Sequence, residues 1–210
     1  MFSVAFDALA LVITGLFPIM NPIGASLAAQ SLTPHLDDGQ RASLARSVAM
    51  NSFIVLTASV LVGTYILAFF GISEAVLRIA GGFVVAYSGW QLLQTPTDES
   101  AHTPSLNPGD VKANAFYPIT LPITVGPGSI SVAIALGTEA VDEESFAHFV
   151  GVGVAFLLLS LIVYICMRYV GHVRKVIGVA GSQIVDRLFA FILLCIGMQI
   201  CWRGIVDLSH

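Results

Sequence analysis

Long uncharged segments alternate along the chain with short segments that contain most of the charged residues. With Asp, Glu, Lys, Arg and His counted as charged, the uncharged segments are 8–34, 47–73, 79–97, 113–138, 149–167 and 188–202. A helix that crosses a bilayer needs roughly 17–25 residues. The first five segments meet this length, and the sixth does so if the Arg203 side chain reaches the interface and residues 204–206 complete the span. The pattern therefore predicts six transmembrane helices.

The composition indicates an all-α integral membrane protein without a soluble domain. Hydrophobic residues make up 56% of the chain and charged residues 10%, whereas about 25% of a typical soluble domain is charged. The longest predicted connection, 95–112, is polar and contains the turn-forming sequence Asn107-Pro108-Gly109-Asp110. We interpret the chain as one membrane domain with a first three-helix repeat at 1–94, a cytoplasmic linker at 95–112 and a second three-helix repeat at 113–210.

One motif interrupts both the first and the fourth predicted helix. The pattern aromatic-Pro-Ile-x-x-Pro-Ile begins at Phe17 and again at Tyr117, and glycine follows each copy. Proline lacks the N–H that a helix needs and clashes with the preceding turn. Two prolines with a glycine are therefore expected to open helices one and four. Paired interruptions in matching halves are typical of a transporter binding site near the bilayer midplane.

The repeat extends to the third and sixth helices. Gly89-Trp90-Gln91-Leu92 in helix three matches Gly197-Met198-Gln199-Ile200 in helix six. Each half contains an odd number of spans, so the two halves must insert with opposite orientation. The predicted fold is therefore a 3+3 inverted repeat. Small residues spaced by four, as at Gly82 and Ala86 or Gly151 and Ala155, are expected to let helices approach closely.

The first interruption has the parts of a helix start. Asn21 suits an N-cap and Pro22 suits the first helical position, which predicts a half-helix to about Leu32. The amides of Ile23, Gly24 and Ala25 would then lack intrahelical acceptors and would face the break at the positive end of the helix dipole. A carboxylate could accept their hydrogen bonds.

The second interruption offers similar groups. Gly126 can cap a half-helix that starts at Pro127, and the next amides belong to Gly128, Ser129 and Ile130. Hydroxyl groups are contributed by Thr120, Thr124 and Ser129. The half-helices that precede the breaks end near Phe17 and near 119–124, where free carbonyls would attract an ammonium group or a sodium ion. Together the two breaks suit a small zwitterionic substrate.

Ionisable residues are absent from the middle of every predicted span, so the sequence offers no membrane-centre proton relay. The polar residues inside the spans are neutral: Asn21, Gln30, Asn51, Ser52, Thr57, Gln91, Asn114, Ser160 and Gln199. A site made of neutral dipoles does not favour a substrate with a large net charge. Asn51, Gln91 and Gln199 could line the cavity, although such residues more often bond to a neighbouring helix.

The basic residues predict the orientation of the chain. One set of connections contains Arg41, Arg46, Lys112, Arg168, Arg174, Lys175 and Arg187, and the other contains Arg78 and Arg203. Cytoplasmic connections carry an excess of lysine and arginine. The first set, which includes the segment 168–187 between helices five and six, is therefore expected in the cytoplasm. Both termini are expected in the periplasm.

The motifs resemble those of the MarC family of bacterial inner-membrane proteins, which is also called the neutral amino acid transporter family and includes SnatA-type proteins. The resemblance rests on Asn21-Pro22-Ile23-Gly24, the segment 121–130, Ala80-Gly81-Gly82 and the Gly-x-Gln pair, and it covers essentially the whole chain. It implies a six-helix transporter of small neutral amino acids such as glycine or alanine. The site residues that it implies are Asn21, Pro22, Gly24, Thr124, Gly126, Pro127, Gly128 and Ser129.

Other functions stay open on the sequence. The interruptions could form a pore or a lipid-handling groove, or the chain could be a non-transporting membrane component that packs against a partner. An enzyme is not expected, because no span contains a nucleophile with a base, paired carboxylates or a metal-binding set. We expect no cofactor, no metal and no nucleic-acid partner. The expected partners are the lipid bilayer and a small zwitterionic substrate, with sodium coupling and uncoupled exchange as equal options.

Overall fold

The computed structural model describes residues 2–94, 111–138 and 145–209, and every element in these ranges is helical. The elements are α1 (Phe2–Met20), α2 (Pro22–Leu32), α3 (Asp38–Phe70), α4 (Glu74–Gln94), α5 (Val111–Asn114), the π-helix π1 (Ala115–Thr124), α6 (Pro127–Thr138) and α7 (Ser145–Leu208). The predicted all-α class is confirmed. Most of the predicted linker, 95–110, lies outside the described residues, and 111–112 already belong to α5.

Within the described ranges, five helical segments are long and apolar enough to cross a membrane, and a bent pair makes a possible sixth span. The five segments are Ser3–Leu32, Asp38–Gly63, Glu74–Gln94, Phe146–Gly171 and Arg187–Leu208, and the bent pair is Ala115–Thr124 with Pro127–Ala135. These segments coincide with the six uncharged stretches of the sequence. Large apolar side chains such as Phe69, which is 83% exposed, cover their outer faces.

The predicted cytoplasmic loop between helices five and six is wrong as a loop. Residues 168–187 are helical and join the fifth and sixth spans within α7. Polar and charged residues made this segment look like a connection. It contains no proline, however, and charge alone does not interrupt the hydrogen bonds of a helix.

Helix α7 changes direction between its two spans. Gly151 lies against the Ala5 carbonyl at the start of α1. The ring of Phe189 contacts that of Phe17 near the end of α1, with 6.5 Å between the centroids. A straight helix would separate Gly151 from Phe189 by about 57 Å, whereas Ala5 and Phe17 are only about 18 Å apart along α1. The two spans of α7 therefore pack against the same bundle.

The third and sixth spans form a close antiparallel pair. A Cβ atom built on Gly82 of α4 would lie 2.7 Å from the carbonyl oxygen of Gly197, and one built on Gly89 would lie 2.7 Å from that of Ala190. At one end of the pair, Arg78 forms a 3.0 Å salt bridge with Asp207. Only residues without side chains allow backbones to approach this closely. The close approach expected at Gly82 and at Gly151 is confirmed.

A single apolar core joins the helices. Its fully buried members include Val12 and Leu16 of α1, Leu56 of α3, and Phe156 and Leu159 of α7. The π-helix and the two short helices α2 and α6 pack on this core, α2 against α7 and α6 against α3 and α4. Both predicted interruptions therefore lie inside the bundle rather than at its edge.

Candidate functional site

The first interruption is a single residue between α1 and α2. Asn21 has φ 40° and ψ 66°, which is the left-handed conformation, and it is the N-cap of α2. Its side-chain Oδ1 accepts a hydrogen bond of 3.1 Å from the Gly24 amide. Asparagine is one of the few residues that adopt this conformation readily. Asn21 therefore both ends α1 and starts α2 at Pro22.

This interruption is narrower than the sequence suggests. The Asn21 amide donates to the Phe17 carbonyl at 3.1 Å, and the Ala25 amide donates to the Asn21 carbonyl at 2.9 Å. Of the three amides expected to face a ligand, those of Gly24 and Ala25 thus have partners within the chain. Residues 3–32 together count as one candidate span. A ligand that binds the Gly24 amide must displace the side chain of Asn21.

The second interruption is a sharp bend. The axes of π1 and α6 differ by 66°. Within π1, Tyr117 and Leu121 have extended dihedral angles, and each precedes a proline. Proline disfavours the helical conformation of the residue before it, which explains both departures. The Tyr117–Pro118 and Leu121–Pro122 peptide bonds are cis.

Two buried threonines supply hydrogen bonds inside π1. The Thr120 hydroxyl donates to the Ala115 carbonyl at 2.6 Å, and the Thr124 hydroxyl donates to the Ile119 carbonyl at 2.7 Å. Both side chains are buried. Their protons are therefore engaged locally, although each hydroxyl oxygen can still accept a hydrogen bond. Two of the carbonyls expected to attract an ammonium group already have these donors.

Helix α6 begins with the arrangement that its sequence predicts. Pro127 is its first residue, and the Ile130 amide donates to the Gly126 carbonyl at 3.1 Å. The amides of Gly128 and Ser129 precede this first intrahelical bond, so they belong to the set that a helix cannot satisfy itself. Ser129 is buried. Of the two helix starts, α6 thus offers the more accessible pair of backbone donors.

The two interruptions approach each other at Gly128. A Cβ atom built on Gly128 would overlap Cγ2 of Val85 in α4 and would lie 3.8 Å from Cγ2 of Ile19. Ile19 is two residues before Asn21. The structure therefore brings the end of α1 and the start of α6 together, with α4 beside them. The motif halves that are one hundred residues apart in sequence share one region of the bundle.

Four polar atoms are buried without a hydrogen-bond partner in the part of the chain that the structure describes. They are Oε1 of Gln30, Oγ of Ser52, Oγ1 of Thr57 and Oγ of Ser160. The sequence identified these residues only as neutral polar residues within spans. Gln91, which was a cavity candidate, donates instead to the Tyr87 hydroxyl at 3.0 Å on an exposed face of α4.

The chain matches one family model over almost its whole length. The model of the MarC family integral membrane proteins matches residues 6–209. The inner membrane proteins MarC of Citrobacter koseri and Salmonella typhimurium are 28% identical to the chain over 212 residues, which cover 97% of this chain and 96% of each relative. MarC of Escherichia coli is 27% identical over 213 residues with the same coverage. No solved structure matches the chain.

Proposed function

The chain belongs to the MarC family of inner-membrane proteins, and we propose that it is a secondary transporter or exporter of small neutral amino acids such as glycine and alanine. The observation that carries the proposal is the meeting of the two interrupted helices at Gly128, deep in an otherwise apolar bundle. Such a place holds backbone donors and acceptors that lipid cannot satisfy. A small polar solute can satisfy them.

The proposed carboxylate position is the start of α6. The amides of Gly128 and Ser129 lie at the positive end of the helix dipole, which favours an anionic group. Gly128 has no side chain, so an oxygen atom can approach the backbone closely. The Asn21 cap of α2 offers a second position only if its side chain moves, since Oδ1 now occupies the Gly24 amide.

The substrate class follows from charge and size. Ionisable side chains are absent from the middle of the spans, so a substrate with a net charge would be desolvated without compensation. A neutral zwitterion carries its own pair of charges and meets dipoles at both ends. Val85 and Ile19 line the Gly128 region and leave space for a small apolar side chain only. Glycine and alanine fit these conditions.

The contacts between α4 and α7 support the predicted inverted repeat. Gly89 and Gly197 are 108 residues apart in the chain, as are Gly82 and Ala190. The contact of Gly82 with Gly197 and the contact of Gly89 with Ala190 are therefore the same contact with the halves exchanged. We infer that one half rocks against the other across this pair and exposes the site to each side in turn.

We propose that both termini lie in the periplasm, from the excess of basic residues in the connections on the other side. A reporter that is active only in the cytoplasm should be inactive when fused after residue 210 and active when inserted near residue 103. The reverse pattern would show the opposite orientation without affecting the site. Coupling to sodium is tested by transport in sodium-free buffer.

Ligand-dependent thermal stability tests the proposed site. A ligand that binds only the folded state raises its stability by about 2.7 kcal/mol at a concentration one hundred times its dissociation constant. We expect glycine and alanine to raise the melting temperature of the purified protein, and glutamate and lysine to have no effect. Stabilisation by phospholipid headgroups instead would favour a lipid-handling role. No stabilisation by any amino acid would contradict the proposal.

A further inference from the structure

Two serines bury their hydroxyl groups in the membrane-spanning core. Ser52 of α3 is 0% exposed and Ser160 of α7 is 6% exposed. Among the residues that the structure describes, neither Oγ atom has a hydrogen-bond partner. Val48, Leu56 and Phe156, which lie one turn away along these helices, are buried apolar residues. A buried hydroxyl without a partner is unfavourable, so both sites require an explanation.

Other hydroxyls in the spans show what these two do not do. A serine or threonine in a helix commonly donates to the carbonyl three or four residues earlier. This bond is made at 2.7–3.1 Å by Thr14, Ser26, Ser31, Ser59 and Ser88. Ser52 and Ser160 do not make it. Their hydroxyls are left for a molecule that is not part of the chain.

The two serines occupy the same position in the two halves. The spans Asp38–Gly63 and Phe146–Gly171 each contain 26 residues. Each serine is 14 residues from the start of its span, or about 21 Å along the axis, which is near its middle. The separation of Ser52 and Ser160 is 108 residues, the same as that of Gly89 and Gly197. The unpartnered hydroxyls are thus equivalent under the proposed repeat.

Each serine is on a helix that packs beside one interruption. Helix α3 packs against π1 and α6, whereas α7 packs against α1 and α2, and α3 and α7 also contact each other. A hydroxyl can donate to a carboxylate and can accept from an ammonium group. One serine from each half can therefore serve either end of a zwitterion.

We propose that Ser52 and Ser160 are a pair of equivalent substrate-binding residues that hydrogen-bond the carboxylate and ammonium groups of the transported amino acid. The inference rests on the proposed function and extends it, because neither serine is in the Pro/Gly motifs. In the empty protein both hydroxyls lack partners. Substrate binding supplies the partners and fixes the depth at which the zwitterion is held.

The test compares matched serine-to-alanine variants of the full chain in proteoliposomes. Ser52→Ala, Ser160→Ala and the double variant remove the unpartnered hydroxyls. Ser59→Ala and Ser88→Ala are the controls, since those hydroxyls donate to the carbonyls of their own helices. The measurements are the KM for uptake of labelled alanine and the rise in melting temperature on adding alanine to the purified protein.

We expect each test variant to raise the KM about tenfold, the size typical of a lost hydrogen bond to a charged group. The alanine-dependent rise in melting temperature should shrink in parallel, while both controls stay within about twofold of the wild type. Melting temperatures without alanine should be unchanged or higher for the test variants. That result would support the pair as substrate-binding residues.

Three results would overturn the inference. An unchanged KM in both single variants and in the double variant would remove the serines from the site and leave the proposed function intact. A lower melting temperature without alanine, together with an unchanged KM, would show that the hydroxyls hold structural water. Absence of both alanine uptake and alanine-dependent stabilisation in the wild type would remove the proposed function itself.

Discussion

Gly82 and Gly197 exclude side chains from each other's backbone. A Cβ atom on Gly82 would lie 2.7 Å from the Gly197 carbonyl oxygen, and a Cβ atom on Gly197 would lie 2.6 Å from the Gly82 carbonyl oxygen. Real Cβ atoms are not found so close to a carbonyl, and the listed atoms belong to backbone that cannot rotate away. The third and sixth spans therefore meet at a distance that only glycine permits.

Alanine at either glycine should destabilise the protein. We expect Gly82→Ala and Gly197→Ala each to cost about 1–3 kcal/mol, as overpacking of a close contact does. Gly153→Ala is the control, since nothing lies within 4 Å of the position that its Cβ would take. The control should be neutral or more stable by up to about 1 kcal/mol. Thermal unfolding in detergent measures all three, and equal stability of the three variants would contradict the close contact.

Substitutions of Asn21 should separate backbone conformation from capping. Asn21→Gly keeps access to the left-handed conformation and loses only the cap, at a cost of a few tenths of a kcal/mol. Asn21→Ala loses the cap, at about 1 kcal/mol, and forces a residue with a Cβ into a conformation that costs about 1–2 kcal/mol. The order of melting temperatures should be wild type, then Gly, then Ala. Alanine as stable as glycine would mean that this φ value is not needed.

Gly128 and Val85 should behave as a coupled pair. A Cβ at Gly128 overlaps Cγ2 of Val85, so Gly128→Ala should abolish most uptake of labelled alanine and lower the melting temperature. Val85→Ala removes the overlapping atom, and the double variant should recover both properties at least in part. Recovery of the melting temperature without recovery of uptake would place the Gly128 backbone in the site. No loss in the single variant would show that α6 does not pack on α4 in this way.

The salt bridge of Arg78 with Asp207 should contribute little to stability. The Asp207 side chain is 43% exposed, and exposed pairs are typically worth no more than about 1 kcal/mol. Asp207→Asn should therefore lower stability slightly, with the loss screened at high salt. Exchanging the two charges in Arg78→Asp/Asp207→Arg should restore it. A large loss that salt does not affect would contradict this assignment.

Helix starts and spans follow closely from the sequence, because they depend on local chemistry. Asn21 before Pro22, and Gly126 before Pro127, predict the first residues of α2 and α6, and these helices begin there. Uncharged runs likewise predict the candidate spans. Residues 168–187 mislead for the opposite reason, since their charge suggests a loop while their lack of proline permits a helix.

The site could be predicted only in part, since hydrogen bonding within it depends on side-chain positions. Sequence reasoning left the Gly24 amide open, but Oδ1 of Asn21 occupies it. It offered the Thr120 and Thr124 hydroxyls to a ligand, but both donate to carbonyls of π1. Ser52 and Ser160 stood among nine neutral polar residues with nothing to distinguish them. Their separation of 108 residues, equal to that of the Gly-x-Gln pair, was the signal available.

Counterflow of labelled alanine into proteoliposomes preloaded with unlabelled alanine tests the transport account most directly. We predict transient accumulation of label in vesicles that contain the protein, saturating with alanine concentration and inhibited by glycine but not by glutamate or lysine. Protein-free vesicles should show none. Label entry no faster than in protein-free vesicles, or entry that neither saturates nor responds to glycine, would contradict a transport site at the meeting point of the two interrupted helices.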